Sequence, residues 1–180
     1  MDEMLEFNKE FVRSKGYEQF SANKLPDKKL AVLACMDTRL TELLPAALNF
    51  KNGDIKLIKN AGAMVSHPFG GVMRSLLVCI YTLGVEEIAV IGHHDCGMQF
   101  LEASLIEQKI IEKGIPEKHL KLMKSMGIDL NKWLHGFDSA EDSVRQSVTM
   151  IKNHPLIPEN IQVRGFLLNP KTGEIAEVPE

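Results

Sequence analysis

Short apolar runs alternate with amphipathic stretches along most of this chain. Four of these runs are rich in Val, Ile, Leu and Ala and are bounded by turn residues, which is typical of buried parallel strands. They occupy 29–34, 55–59, 87–91 and 161–168. Turn residues at 169–173 precede a fifth run at 174–178. We expect this run to return as an antiparallel strand at one edge of the sheet.

Helical periodicity fills the intervals between these strands. Apolar residues spaced three or four apart predict helices over 3–15, 41–49, 68–84, 99–113 and 117–134, and another after Ser139. Pro68 stands near a first helical position, and Ser139 with Asp142 resembles a capping box. The alternation predicts a three-layer α/β fold, with a mostly parallel central sheet of four strands plus an antiparallel C-terminal edge strand.

The length of 180 residues predicts one domain, 1–180, that begins with an N-terminal helical arm over 1–27. Met4, Phe7 and Phe11 recur at helical spacing in this arm, and Gly16 ends the helix. An arm that precedes the first strand could pack on its own domain or on a neighbouring subunit.

Composition excludes several classes of protein. A net charge of -3 argues against general nucleic-acid binding, which needs a basic surface. No apolar stretch approaches the length of a membrane span, and the acidic start at 1–4 lacks the apolar region of a signal peptide. We therefore expect a cytoplasmic protein. Three cysteines, an odd number, favour metal or catalytic roles over a disulfide framework.

Two polar clusters follow two of the predicted strands. The sequence CMDTR occupies 35–39, and HHDCG occupies 93–97. Open α/β sheets place their active sites at the carboxyl ends of strands, so these clusters are expected to meet. Cys35 and Cys96 as thiolates and His93 as a neutral imidazole would bind one Zn²⁺ per chain and leave one tetrahedral position open. Burial of the cysteines as small hydrophobic residues is the alternative, but two such clusters favour metal.

Asp37 and Arg39 could form an exposed ion pair that contributes little to stability, about 0–1 kcal/mol. Beside a metal, however, Arg39 could hold the Asp37 carboxylate away from the ion, and Asp37 could accept a hydrogen bond from a bound water. We favour this functional interpretation. If Arg39 released it, Asp37 could itself bind the metal and close the site.

The remaining cysteine and histidines are predicted to lie outside the ligand set. Cys79 falls on the apolar face of a helix and is expected in the core. His94 directly follows His93, so its ring is expected to point elsewhere, in a supporting or structural role. Four further histidines belong to no cluster and are expected at the surface or at helix ends: His67, His119, His135 and His154.

These motifs resemble those of the β-class carbonic anhydrases. The family's C-x-D-S/T-R and H-x-x-C motifs match 35–39 and 93–96, and its Asn-Ala-Gly loop resembles 60–62. Gly92 and Gly97 match the glycines that flank the second motif. The resemblance is strong over 28–100 and weaker to the end of the chain, and it is most similar to the small prokaryotic subgroup.

The resemblance implies a zinc enzyme, a carbonate dehydratase of the lyase class, in which a zinc-bound hydroxide hydrates carbon dioxide to bicarbonate. Cys35, His93 and Cys96 would then bind zinc, and Asp37 with Arg39 would form the catalytic dyad. A homodimer or a higher even homo-oligomer is implied as well. Backbone amides near Gly62 and Gly97 are candidates for substrate binding. Larger family members also contribute a glutamine and aromatic side chains, for which this sequence offers no equivalents that we can assign.

Two other functions remain compatible with the same residues. Carbon disulfide or carbonyl sulfide hydrolysis would need the same activated hydroxide. A non-catalytic zinc or redox-sensing protein would result if Asp37 permanently filled the fourth position. A thiol phosphatase or sulfurtransferase would need a longer loop between Cys35 and Arg39, and nucleotide binding would need a Gly-rich loop after the first strand.

Overall fold

The central feature of the fold is one five-stranded sheet, seen in a computed structural model that describes residues 1–179. The sheet has the order β2-β1-β3-β4-β5. Its first four members in this order are parallel, and β5 pairs antiparallel with β4. The strands are β1 (Leu30–Cys35), β2 (Ile55–Asn60), β3 (Glu87–His93), β4 (Gln162–Leu168) and β5 (Ile175–Val178). The predicted sheet and its antiparallel edge are therefore confirmed.

Seven helices connect the strands or extend from them within residues 1–179. They are α1 (Asp2–Arg13), α2 (Leu40–Ala47), α3 (Gly71–Leu83), α4 (Ala103–Glu112), α5 (Glu117–Ser125), α6 (Leu130–Leu134) and α7 (Ala140–Lys152). The side chain of Ser139 accepts a hydrogen bond from the Asp142 amide, 3.2 Å away, so the predicted cap of α7 is confirmed. None of the helices in this range is long and apolar enough to cross a membrane.

Three predicted helices differ from the observed ones by more than two residues at one end or by a break. Helix α3 begins at Gly71 rather than at Pro68, because the Phe69 amide donates to Nδ1 of His67, 3.0 Å away, in a turn that precedes the helix. The predicted helix 117–134 is two helices, since Gly127 adopts a φ of +82° between them. Helix α4 begins at Ala103 rather than at 99, because the preceding residues pair with the chain near residue 137.

The core lies between the sheet and the helices packed on it, with β1 and β3 buried along nearly their whole length. Helix α7 crosses β3 and β4 closely because both strands carry a glycine beneath it. A Cβ atom on Gly92 or Gly165 would lie only 2.7 Å or 2.5 Å from methyl carbons of Val144. Cys79 is buried on α3, as predicted, and burial raises the pKa of its thiol.

His154 is buried rather than at the surface, and it lies just past the end of α7, so of its two predicted places the helix end is the one observed. Only 4% of its surface is exposed, and its Nδ1 accepts a hydrogen bond from the Leu156 amide. The ring also packs edge-on against Phe69. His154 therefore fastens the turn that follows α7.

Helix α1 lies largely apart from the rest of the chain. It buries no residue, and its Phe11 ring packs near Phe20 in the short 3-10 turn Gly16–Phe20. Met4, Leu5 and Phe7 are exposed. The helix is thus amphipathic, as predicted, but the rest of the described chain leaves most of its apolar face exposed.

Candidate metal centre

The three predicted metal ligands come together at the carboxyl end of the sheet. Cys35 is the last residue of β1 and His93 the last residue of β3, and these strands are parallel neighbours. Cys96 follows on a tight turn in which Asp95 adopts a φ of +55°. One ligand atom from each of the three residues lies within 4.8 Å of the others, and the two sulfurs are 3.8 Å apart. All three side chains are buried.

The hydrogen bonding of His93 leaves its ring nitrogen Nε2 available to bind a metal. Its Nδ1 lies 2.9 Å from the carbonyl oxygen of His94, which can only accept a hydrogen bond, so Nδ1 carries the proton. Its Nε2 therefore has the lone pair, and this buried atom finds no hydrogen-bond partner among residues 1–179. An orphaned buried lone pair beside two sulfurs fits a metal ligand. Two thiolates and one imidazole are also a donor set that zinc prefers.

The two cysteine thiols differ in their acidity. A hydrogen bond from Cys96 lowers the pKa of the Cys35 thiol strongly, helped by the backbone amides of Asp37 and Gly62 and opposed by burial. The same hydrogen bond raises the pKa of Cys96, and burial raises it further. The hydrogen bond between the two sulfurs thus makes Cys35 the more acidic thiol of the pair. A divalent cation would displace any remaining thiol proton, because only deprotonated thiols bind metal.

Asp37 is held by Arg39 at the edge of this cluster. The Arg39 side chain donates from Nε to Oδ1 at 3.0 Å and from Nη2 to Oδ2 at 2.8 Å. The Arg39 backbone amide donates to Oδ1 as well. These contacts lower the pKa of Asp37 to about 2 against the opposing effect of its burial. Its Oδ2 lies 3.9 Å from Nε2 of His93, so an ionised carboxylate stands next to the predicted ligand set.

Arg39 has a second acidic partner that sequence reasoning missed. Its Nη1 donates to Oδ2 of Asp95 and its Nη2 to the Asp95 carbonyl oxygen, each at 2.7 Å. Arg39 is the largest cause of the lowered pKa of Asp95. The sequence could have indicated this contact, because Asp95 lies inside the HHDCG cluster, directly before the predicted ligand Cys96. The other cluster, which is expected to meet this one, contains the basic residue Arg39.

The Asn-Ala-Gly segment supports one sulfur. The Gly62 amide points at Sγ of Cys35, 3.4 Å away, from a backbone with φ of +82°. Asn60 fixes this loop, since its side chain both accepts from the Met64 amide and donates to the Met64 carbonyl. The Gly62 amide is thus engaged by sulfur. Substrate binding at Gly62 and at Gly97, whose flank is open, stays a prediction.

An apolar wall that the sequence did not reveal covers Gly62. A Cβ atom on this glycine would lie 3.0 Å from Sδ of Met64 and 3.1 Å from Cε1 of Phe137. Phe137 reaches this place through a clasp, which we define as the backbone pairing of 98–101 with 136–137. In the clasp the Phe100 amide donates to the Phe137 carbonyl, and the Phe137 amide donates to the Met98 carbonyl.

Known proteins are similar to this chain in sequence and in fold. The sequence profile of the family described as carbonic anhydrase matches residues 30–175. YvdA of Bacillus subtilis, provisionally named a carbonic anhydrase, is 55% identical over 172 residues, which cover 96% of this chain and 87% of YvdA. The carbon disulfide hydrolase of Acidithiobacillus thiooxidans is 28% identical over 83% of this chain and 76% of its own.

A solved structure extends the similarity to three dimensions. The β-carbonic anhydrase isoform I of Trichomonas vaginalis superposes with a TM-score of 0.89 at 33% sequence identity. The match covers 98% of this chain and 96% of that protein. Sequence and backbone therefore agree over almost the whole length.

Proposed function

Since this chain belongs to the β-class carbonic anhydrase family, we propose that it catalyses the reversible, zinc-dependent hydration of carbon dioxide to bicarbonate. The observation that carries the proposal is the buried cluster of two sulfurs and an orphaned imidazole nitrogen beside the ionised Asp37. Cys35, His93 and Cys96 would hold one Zn²⁺ per chain. Bound zinc supplies a Lewis acid that makes water nucleophilic near neutral pH.

Asp37 orients the attacking water rather than removing its proton. With a pKa lowered to about 2, this carboxylate is ionised throughout the neutral range and can accept a hydrogen bond but not retain a proton. An accepted hydrogen bond directs the oxygen lone pair toward the substrate carbon. The proton therefore leaves to solvent buffer. Arg39 supports this role because its two hydrogen bonds fix both oxygens of the carboxylate.

The apolar wall suits a small substrate without charge. Met64 and Phe137 cover the loop beside Cys35 and offer no charged group to the substrate. Carbon dioxide is linear and weakly polar, so exclusion of water by such a wall favours its binding over that of a hydrated solute. Carbon disulfide has the same shape, and the similarity to a carbon disulfide hydrolase makes it the second candidate substrate.

The ion pair of Asp37 with Arg39 argues against a permanently closed structural zinc site. A closed site needs the Asp37 carboxylate as the fourth ligand. Both carboxylate oxygens are engaged by Arg39, within 3.0 Å. With zinc held by Cys35, His93 and Cys96, this arrangement would leave the fourth position to a water, as a catalytic site requires.

The assembly and the compartment follow from two further features. The exposed apolar face of α1 would be buried if it packed on a second copy of the chain. This contact supports a homodimer or a higher even oligomer. Two metal-binding thiols must stay reduced, so the cytoplasm is the compartment that suits the site.

Stopped-flow hydration of carbon dioxide, run beside carbon disulfide hydrolysis and zinc analysis, tests the proposal. We expect about one zinc per chain, hydration that is lost on chelation and restored by Zn²⁺, and slower turnover of carbon disulfide. Faster turnover of carbon disulfide would favour the second candidate. A zinc-loaded protein without either activity would support the non-catalytic alternative.

A further inference from the structure

Arg39 joins the two motif clusters, because it binds acidic groups from both. Its side chain is shared between Asp37, two residues before it, and Asp95, which lies 56 residues further along the chain. Nη2 donates to Asp37 and to the Asp95 carbonyl, and Nη1 donates to the Asp95 carboxylate. Both hydrogen bonds to Asp95 measure 2.7 Å, shorter than those to Asp37.

The contact to Asp95 differs in kind from the contact to Asp37. Asp37 and Arg39 belong to one short loop, so their ion pair does not fix the orientation of the two side chains relative to the rest of the site. Asp95 stands on the turn after β3, between the predicted ligands His93 and Cys96, and it ties the guanidinium to that turn. Arg39 can therefore keep its position even when Asp37 moves.

The backbone of Asp95 indicates that this contact is built into the turn. Asp95 adopts a φ of +55°, a left-handed conformation that aspartate and asparagine tolerate better than most residues. In this conformation the residue presents its carbonyl oxygen and its carboxylate to the same guanidinium. An ordinary surface ion pair would lack the backbone contact.

We propose that Asp95 is a positioning residue, which holds Arg39 on Asp37 and thereby keeps the Asp37 carboxylate off the metal. The inference rests on the proposed zinc site. Without the Asp95 carboxylate, Arg39 keeps only one anchor outside its own loop, the Asp95 carbonyl. Asp37 then spends more time as the fourth ligand, since its Oδ2 lies only 3.9 Å from Nε2 of His93.

The variant that isolates the effect is Asp95→Asn. Asparagine suits the same left-handed backbone and keeps the carbonyl contact, so only the charge is removed. Asp27→Asn is the matched control, because it removes the same charge from an exposed residue before β1, at the opposite end of that strand from Cys35. Both proteins are loaded with Co²⁺ in place of zinc, and thiocyanate binding is followed by visible absorption.

An external anion must compete with Asp37 for the fourth position, so its apparent affinity reports the open fraction of sites. We expect Asp95→Asn to weaken thiocyanate binding about five- to tenfold, which corresponds to about 1–1.4 kcal/mol, and to lower kcat by a similar factor. Asp27→Asn should bind thiocyanate as the parent does. Equal affinity in Asp95→Asn and the parent would overturn the proposal.

A double-mutant cycle separates positioning through Arg39 from a merely structural role. In an Arg39→Met background, Asp95→Asn should have no further effect on thiocyanate affinity or kcat, because the group on which Asp95 acts is gone. Equal losses with and without Arg39 would overturn the proposal. If Asp95→Asn binds cobalt incompletely, Asp95→Glu is measured instead, because it keeps the charge. A thiocyanate affinity within about threefold of the parent supports positioning by charge. A thiocyanate affinity as weak as that of Arg39→Met contradicts it.

The two proposals fail in different ways. Cobalt binding by the parent tests the metal site, and a parent that binds no cobalt removes both proposals. Thiocyanate affinity requires no carbon dioxide turnover, so the role of Asp95 survives if the natural substrate is carbon disulfide instead. An active parent in which Asp95→Asn changes nothing removes only the role of Asp95.

Discussion

The backbone amide of Gly62 donates to Sγ of Cys35 across 3.4 Å, which joins the loop after β2 to a predicted ligand at the end of β1. This hydrogen bond favours the thiolate form and helps lower the pKa of Cys35, after the larger contribution from Cys96. It depends on a left-handed backbone that only glycine adopts without strain. The loop after β2 thus supports the predicted metal centre through a direct contact with one of its sulfurs.

Gly62→Ala is expected to destabilise both the fold and the metal centre. The new methyl group would meet Met64 and Phe137 at about 3 Å, and alanine is strained at a φ of +82°. We expect a loss of about 1–3 kcal/mol in the free energy of unfolding, together with weaker zinc retention. Gly71→Ala is the control, since nothing lies within 4 Å of a Cβ atom there. Equal urea midpoints for the two variants would contradict the expectation.

Cys35→Ser should lose most bound zinc and all hydration activity. A serine hydroxyl does not ionise at neutral pH and is a poor zinc ligand. Cys79→Ala is the matched control, because this cysteine is also buried but lies on α3 and outside the cluster. We expect that control to keep its zinc at a cost of about 1–2 kcal/mol in stability. Metal analysis after gel filtration measures the zinc content of each variant. Stoichiometric zinc in Cys35→Ser would remove Cys35 from the ligand set.

Asp37→Ala should keep zinc but lower kcat about 10²- to 10³-fold. The three ligands remain in place, whereas the hydrogen bond that orients the attacking water is lost. Zinc content and stopped-flow turnover are measured on the same preparation. Turnover within threefold of the parent would reduce the pair of Asp37 and Arg39 to a structural ion pair.

The zinc-free protein should lose part of its stability in acid through Asp37. Arg39 depresses the pKa of this carboxyl to about 2 in the folded state, below its ordinary value of 3.8. A depressed pKa stabilises the fold above the unfolded-state pKa, and the contribution disappears as the pH falls from about 4 to about 2. We expect the free energy of unfolding of the parent to exceed that of Asp37→Asn by about 1–2 kcal/mol at pH 6, allowing for solvent screening. The difference should be smaller at pH 3. Urea unfolding at each pH measures the difference, and a gap that widens toward acid would contradict the assignment.

If α1 packs on a second copy of the chain, as proposed, Phe7→Glu should dissociate that assembly without unfolding the chain. Phe7 is exposed on the apolar face of α1, so the change costs the isolated subunit little, within about 0.5 kcal/mol. A charge would oppose burial of this face against a second copy. Lys9→Gln alters the net charge equally at a polar position of the same helix. Sedimentation analysis of the parent and both variants measures the mass, and an unchanged mass of Phe7→Glu would contradict the role of α1.

The meeting of Cys35, His93 and Cys96 could be predicted from the sequence because each residue ends a recognisable strand or follows closely after one. Cys35 and His93 end β1 and β3, and parallel neighbours bring their carboxyl ends together. The contact of Arg39 with Asp95 could not be predicted in this way, since it depends on a side-chain conformation and on a left-handed turn. The place of Phe137 was equally hidden, because it depends on backbone pairing between residues separated by three helices.

The clasp has a consequence for how the protein can diversify. The chain leaves the body of the fold near Leu101 and rejoins it at Gly136, whose amide bonds to the Leu101 carbonyl. The intervening helices are therefore an insertion with adjacent ends. Such a segment can be lengthened, shortened or exchanged while Cys35, His93 and Cys96 keep their places, so evolution can remodel the surroundings of the predicted metal centre without rebuilding its chemistry.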